Sequence, residues 1–277
     1  MTGLMAGKRG LVMGVANDHS IAWGIASKLA EAGADLAFTY QGDAFGRRVK
    51  PLAEKVGSDF VIPCDVEDLA SVDAVFAALG ERWGKIDFLV HAIGFSDKNE
   101  LKGRYADTSR DNFVRTMVIS CFSFTEVARR AAAIMPDGGS LLTLTYGGAS
   151  RVMPNYNVMG VAKAALESSV RYLAADFGET GIRVNALSAG PVRTLAGAGV
   201  ADARLMYNFQ RKNSPLKRPV GLEEVGGAGL YLLSPLSSGV TGEVHFVDSG
   251  YSIMSMPRIE ELKEQERREA AETGKAE

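Results

Sequence analysis

The chain is poor in cysteine: Cys64 and Cys121 are the two it has among 277 residues. Two distant thiols make neither a disulfide framework nor a C-x-x-C metal site, so the expected setting is a reducing cytoplasm, with both side chains packing as small hydrophobes. An excess charge of one sign is also lacking. Lys and Arg number 31 against 33 Asp and Glu, a net of −2, which leaves no surplus to hold a phosphate backbone or an anionic membrane. Nucleic acid and membrane are therefore not expected as partners. No apolar run approaches the ~18 residues of a bilayer span, and Met1 to Lys8 lacks the basic-then-apolar order of a secretory leader. Neither a repeat nor a Pro/Gly/Ser-rich linker divides the chain.

What the chain does have is the composition of a soluble globular protein, 46% hydrophobic and 23% charged, enough to bury a sizeable core. Glycine is over-used, at 31 residues against a usual ~7% of a chain. Tight turns or close backbone approaches are implied.

Short apolar runs alternate with helical patterns. Strands are expected at Gly10 to Gly14, Asp35 to Tyr40, Asp59 to Pro63, Ile86 to Ile93, Ser140 to Thr145, Arg183 to Leu187 and Glu243 to Val247. Helices are expected at Ile21 to Ala32, Leu69 to Trp83, Ser109 to Ile134, Tyr156 to Phe177 and near Glu223 to Leu233. Strands buried on both faces lose polar alternation, so this βαβ series predicts an α/β, Rossmann-like, doubly wound fold: a seven-stranded parallel sheet with helices on both faces. One domain is expected over residues 1–257. Residues 258–277 are a charged run, read as a solvated, fraying helix or tail.

In such a sheet ligands bind beyond the carboxyl ends of the strands. After the first strand, Gly14 permits a turn, and the loop opens a helix whose free N–H groups suit a pyrophosphate, although it is not G-x-G-x-x-G. Ser20, at that helix start, is open to two readings, a helix cap or a phosphate contact. The second strand ends at Tyr40-Gln41, with neither the acid usual for NAD nor an arginine for NADP; the nearest cation in sequence is Arg47. A neutral ribose is more welcome there than a 2′-phosphate, which favours NADH over NADPH. The third strand delivers Asp65 and Val66, placed to bond and pack an adenine, with Asp65 as cap of the next helix the competing reading. His91-Ala92-Ile93-Gly94 follows the fourth, and His91 reads as a packed, hydrogen-bonded histidine.

The segment from Tyr146 to Lys163 carries the sharpest signal. Pro154 suits a helix start, and Tyr156 and Lys163 are seven residues apart, nearly two helical turns, so both leave one face. An ammonium near a phenol stabilises charge on its oxygen and can hold ribose hydroxyls, and the phenol can donate to a developing oxyanion. Such a pair alone is commonly structural, so its weight comes from the surrounding βαβ series.

With Tyr146, Tyr156, a Tyr-x6-Lys spacing, the loop Gly14-x5-Ser20-Ile21, the Ile93-Gly94 turn and Gly190-Pro-Val-Arg-Thr-Leu195, the chain resembles the divergent short-chain dehydrogenase/reductases. Among them it is similar to the NADH-dependent enoyl-[acyl-carrier-protein] reductases of bacterial fatty acid synthesis, over essentially all of Lys8 to Met256. The resemblance implies that Gly14, Ser20, Ile21, Gln41, Asp65, Val66 and Ile93 line NAD, that Lys163 holds the nicotinamide ribose, and that Val192, Arg193, Thr194, Leu195 and Ala196 bind carboxamide and pyrophosphate. It implies Tyr146, Tyr156 and Lys163 as catalytic residues, and Ser96, Tyr146 and Tyr156 as substrate contacts. No metal is implied.

The implied reaction is hydride transfer to the β-carbon of a trans-2-enoyl thioester, carried on acyl carrier protein or CoA, while Tyr156 stabilises the thioester oxygen. Ser96 and Ala203 depart from residues common in close relatives, which bears on chain-length preference. A substrate-binding loop near residues 195–212 and a cytoplasmic homotetramer packed through the long helices are further implications. Met153, Met159, Met206 and Tyr207 are acyl-pocket or core residues. Two other functions fit the pattern less well. A carbonyl reductase or alcohol dehydrogenase would want the missing catalytic Ser, and a non-catalytic NAD-binding protein would not need both Tyr156 and Lys163.

Overall fold

In the computed structural model, which describes residues 3–192, 194 and 203–273, seven strands form one sheet. They are β1 (Arg9–Met13), β2 (Asp35–Tyr40), β3 (Val61–Pro63), β4 (Phe88–His91), β5 (Gly139–Thr145), β6 (Ile182–Ala189) and β7 (Val244–Val247). Their order is β3-β2-β1-β4-β5-β6-β7, and every pairing is parallel. The winding direction reverses between β1 and β4, where Val12 pairs with Val90 and Met13 with His91. That switch point is where the carboxyl ends of two strands diverge and leave a crevice for a ligand.

The helices are α1 (Ile21–Glu31), α2 (Gly42–Lys55), α3 (Leu69–Trp83), α4 (Arg110–Met117), α5 (Ser123–Ala133), α6 (Asn157–Phe177), α7 (Ala203–Asn213), α8 (Leu222–Leu233) and α9 (Ile259–Thr273). Alternate strand residues feed two separate cores, because successive side chains leave opposite faces of the sheet. Leu11, Met13, Leu89, Leu141 and Val184 pack with Val75 of α3, Phe124 of α5 and Leu166 and Val170 of α6. Val12, Phe38, Phe88, Val90, Leu142 and Leu187 pack with Ile25 of α1, Val49 of α2 and Val225 and Leu230 of α8. Helices α1 and α8 meet through glycine: a Cβ on Gly226 would lie 2.4 Å from the Gly24 carbonyl oxygen.

The fold class matches the expectation, while several elements differ in detail. Helix α2 was masked in the sequence by Gly42, Gly46 and Pro51, yet its buried residues Gly46, Val49, Leu52 and Ala53 keep a helical period. Gly46 is there because a Cβ would meet the Tyr40 ring at 2.7 Å. Helix α7 was likewise unforeseen. The long helix expected from Ser109 runs as α4 and α5 joined by a π turn at Val118–Phe122, with Ser109 as cap accepting from the Asn112 amide at 3.2 Å. Pro154 does not open α6, which starts at Asn157. The charged run after residue 258 is helical as far as Thr273 and is tied back by Lys217 to Glu261 at 3.3 Å.

Candidate active site

The loop after β1 is shaped by backbone contacts. Gly14 has a φ of 97°, and a Cβ there would fall 2.1 Å from the Ala92 carbonyl oxygen, so the loop leans directly on the end of β4. Ser20 occupies the N-cap position of α1 but does not cap it. Its hydroxyl turns back to accept from the amides of Ala16 and Asn17 at 3.0 and 3.1 Å, which leaves the first turn of α1 without a side-chain cap. An uncapped helix start presents its N–H groups and positive dipole end to an anion. Ile21 is the first residue of that turn.

Next to it, two residues singled out separately in the sequence join: Gln41 Nε2 donates to Asp65 Oδ2 at 2.9 Å. Asp65 is not the cap of α3; Asp68 is, accepting from the Ala70 amide, while Asp65 Oδ1 accepts from the Glu67 amide. Val66 is buried beside them. Lys50, more than two turns into α2, lies 5.6 Å from the centre of the Tyr40 ring, a cation at this strand end that sequence distance concealed. His91 is the packed histidine expected. Its ring nitrogens meet Thr143 Oγ1 at 3.2 Å and Ser123 Oγ at 2.9 Å, and burial pushes its pKa down to about 3, so the ring is neutral.

The reactive end is assembled from β5 and α6. Lys163 is 8% exposed. Its Nζ donates to the Leu144 carbonyl at 2.8 Å, and it lies 3.8 Å from where a Cβ on Gly94 would stand, which puts it beside the Ile93-Gly94 turn. Burial lowers its pKa to about 8, opposed by the nearby charge of Glu167.

Tyr146 follows β5, and its ring meets that of Tyr156 edge-on, centres 5.2 Å apart and planes at 73°. Tyr156 is held between two residues with left-handed backbone, Asn155 at φ 57° and Asn157 at φ 37°, an unusual conformation of the kind that clusters at functional sites. Its ring lies so close to the loop after β5 that a Cβ on Gly148 would be 2.4 Å from its Cδ1. Burial pushes the Tyr156 hydroxyl well above the ordinary phenol range, and the charges of Tyr146 and Glu167 add to that. No direct bond joins Tyr156 to Lys163 among the described residues; Glu167 is the charge both feel.

Ser96 is placed differently from a free substrate contact. Its hydroxyl is engaged with Asn112 at 3.2 and 3.3 Å and with Thr116 Oγ1 at 2.9 Å. Val192 packs at the edge of the α1 and α8 core, and the Thr194 amide donates back to its carbonyl at 2.8 Å. Arg193, Leu195 and Ala196 lie outside the described residues, as do residues 197–202 of the expected substrate loop. Met159 packs with Leu101, Val158, Phe113 and Tyr156 in a small cluster apart from the two main cores.

Sequence reasoning missed Gln210, whose Nε2 donates to the Tyr146 hydroxyl at 3.0 Å, and Glu167, whose Oε1 accepts from the Thr145 hydroxyl at 2.6 Å. Glu167 was within reach of inspection, because it sits four residues after Lys163 and therefore on the same helical face. Gln210 carried no such signal. Among the described residues no group of three His, Cys, Asp or Glu side chains could hold a metal.

A family profile described as Enoyl-(Acyl carrier protein) reductase matches residues 14–252. The chain belongs to this family. Among curated relatives of this enoyl reductase, Enoyl-[acyl-carrier-protein] reductase [NADH] 2 of Rhizobium meliloti (strain 1021) is 74% identical over 263 residues, covering 95% of this chain and 98% of that one. Enoyl-[acyl-carrier-protein] reductase [NADH] 1 of the same organism is 66% identical, covering 94% and 95%. Among solved structures, the enoyl-(acyl-carrier-protein) reductase of Anaplasma phagocytophilum in complex with NAD superposes with a TM-score of 0.91 at 55% identity, covering 94% of this chain and 99% of that one. FabI from Candidatus Liberibacter asiaticus gives a TM-score of 0.91 at 62% identity, covering 93% and 100%.

Proposed function

We infer that this enoyl reductase uses NADH to saturate the trans-2 double bond of an enoyl thioester in fatty acid synthesis, with acyl carrier protein or CoA as the carrier. The observation that carries the reading is the half-buried Tyr146–Tyr156 pair beside a buried Lys163, at the strand ends next to the switch point of the sheet.

The residues present fit a dinucleotide. The uncapped start of α1 suits its pyrophosphate, and the bonded Gln41–Asp65 pair with Val66 suits adenosine. Ile93 borders the path between them, and Lys163 is placed to hold the nicotinamide ribose, with Val192, Arg193, Thr194, Leu195 and Ala196 assigned to carboxamide and pyrophosphate. When bound, the reduced nicotinamide supplies the hydride that reaches the β-carbon.

The chain's own part is to hold the thioester and stabilise the charge that gathers on its carbonyl oxygen. Tyr156 does so as a hydrogen-bond donor. Because burial keeps its phenol protonated far above neutral pH, it donates throughout and strengthens that bond as the oxygen becomes enolate-like. Lys163, with a pKa of about 8, is mostly an ammonium at neutral pH, a cation that favours negative charge nearby and donates to sugar hydroxyls. Tyr146 bonds or orients the thioester end, and Ser96 is assigned as a further substrate contact. Protonation at the α-carbon completes the reduction.

A carbonyl reductase is disfavoured because Tyr146 follows directly on β5, where such chemistry would need a small hydroxyl, and the Thr145 hydroxyl just before it is committed to Glu167. The test is NADH oxidation, followed near the reduced-nicotinamide band at roughly 340 nm, with crotonyl-CoA and a panel of ketones, repeated with NADPH. Turnover of crotonyl-CoA with NADH is expected; turnover of ketones alone would reject the reading.

A homotetramer working in the cytoplasm is part of the same proposal. Val114 and Phe122 on the long helix, and Val161 and Tyr172 on α6, are exposed apolar side chains on the helices expected to pair subunits. Both cysteines are free and buried, as a reducing compartment allows. No helix among the described residues is long and apolar enough to cross a membrane. Light scattering on the eluting protein measures the assembly, and a monomer would contradict it.

A further inference from the structure

Gln210 lies on α7 and is 6% exposed, yet only half of its amide is used. Its Nε2 donates to the Tyr146 hydroxyl at 3.0 Å, whereas its Oε1 is buried with no partner among the described residues. A buried acceptor left unpaired weakens a fold, so a residue kept in that state calls for a reason other than packing. A leucine of similar size would fill the space without the cost.

The reason lies in the direction of the bond. A phenol both accepts and donates, and here Gln210 occupies its accepting side. The Tyr146 proton then has no acceptor among the described residues and points away from the amide, ready for a carbonyl oxygen. A donor into a phenol oxygen also polarises its O–H, making it a better donor in turn. Burial holds the phenol above its ordinary pKa range, and the bond from Gln210 opposes part of that rise.

We propose that Gln210 is a positioning residue for the reduction: it sets the direction of the Tyr146 hydroxyl so that its proton faces the thioester, with α7 as the arm that holds it. This rests on the reading of Tyr146 given above.

The test is a double-mutant cycle on the full chain, with kcat, the KM for NADH and Tm as readouts. Gln210→Leu is expected to lower kcat about 3- to 10-fold, the worth of one neutral hydrogen bond, with the KM for NADH unchanged and Tm at or above that of the parent. In a Tyr146→Phe background the same substitution is expected to change nothing, since the hydroxyl it acts through is gone. Gln210→Glu reverses the bond, with the carboxylate accepting from Tyr146, so its rate is expected to be low at neutral pH and to recover as pH falls and the carboxyl regains a donor proton. Gln210→Met serves in place of leucine should the first variant fold poorly.

Parental kcat in Gln210→Leu with Tyr146→Phe slow would overturn the inference and leave the reading of Tyr146 standing. Additive losses in the double variant, or a fall in Tm with kcat intact, would also overturn it, being the marks of packing. Tyr146→Phe at parental rate would remove the reading of Tyr146 itself.

Discussion

The two ends of the site are built on opposite plans. At the nucleotide end the polar side chains satisfy one another: Gln41 is exposed and bonded to Asp65, and Ser20 is buried and folded onto its own loop. At the reactive end ionisable groups are displaced from their ordinary range, with buried Lys163 depressed to a pKa of about 8 and half-buried Tyr156 pushed above the phenol range, and the buried Gln210 has an Oε1 without a partner among the described residues. A surface that only binds can be assembled from locally satisfied loops, because its ligand replaces water. A centre that must stabilise transient charge is better served by dipoles fixed beforehand in a dry setting, at a cost to stability.

If that contrast is right, substitutions at the two ends must differ in kind. The largest effect is expected from Lys163→Ala, which should lose turnover and NADH affinity together, a fall in kcat/KM beyond the ~100-fold typical of one oxyanion donor; steady-state rates and NADH titration measure both, and loss of one alone would break the assignment. Gly148→Ala pushes a methyl into the Tyr156 ring and should slow turnover roughly 10- to 100-fold, as small misplacements of catalytic groups do, while NADH still binds.

The pH dependence sharpens the same point. As Lys163 gives up its proton, kcat/KM should fall above pH about 8. Stability should move the other way. The unfolded lysine titrates near 10.5 and the folded one near 8, so between these values the unfolded chain binds more protons and the folded state gains stability with rising pH. Denaturant melts of the parent and Lys163→Met across that window should diverge, and parallel curves would contradict the depressed pKa. The smallest effect belongs to the nucleotide end: Gln41→Ala should weaken NADH about 3- to 10-fold with kcat unchanged.

The sheet was legible because its strands are buried on both faces and read as short continuous apolar runs, and β2 and α3 have the predicted limits. Helix α2 was hidden because Gly46, which leaves room for the Tyr40 ring, and Pro51, which lies inside the helix, both count against helix by propensity. At the site, Tyr156 and Lys163 could be read because their spacing is helical, although Tyr156 stands at the N-cap, one residue before α6 begins. The Gln210–Tyr146 bond spans 64 residues, and the Gln41–Asp65 bond spans 24. Such pairings are set by tertiary packing, and no local pattern announces them.

The central claim is that Tyr156 stabilises charge on the thioester oxygen rather than holding the cofactor. Rapid-mixing measurement of hydride transfer in Tyr156→Phe at saturating NADH, with NADH affinity determined alongside, tests it most directly. Transfer slowed ~100-fold or more at unchanged NADH affinity is the predicted result; transfer at the parental rate would contradict it.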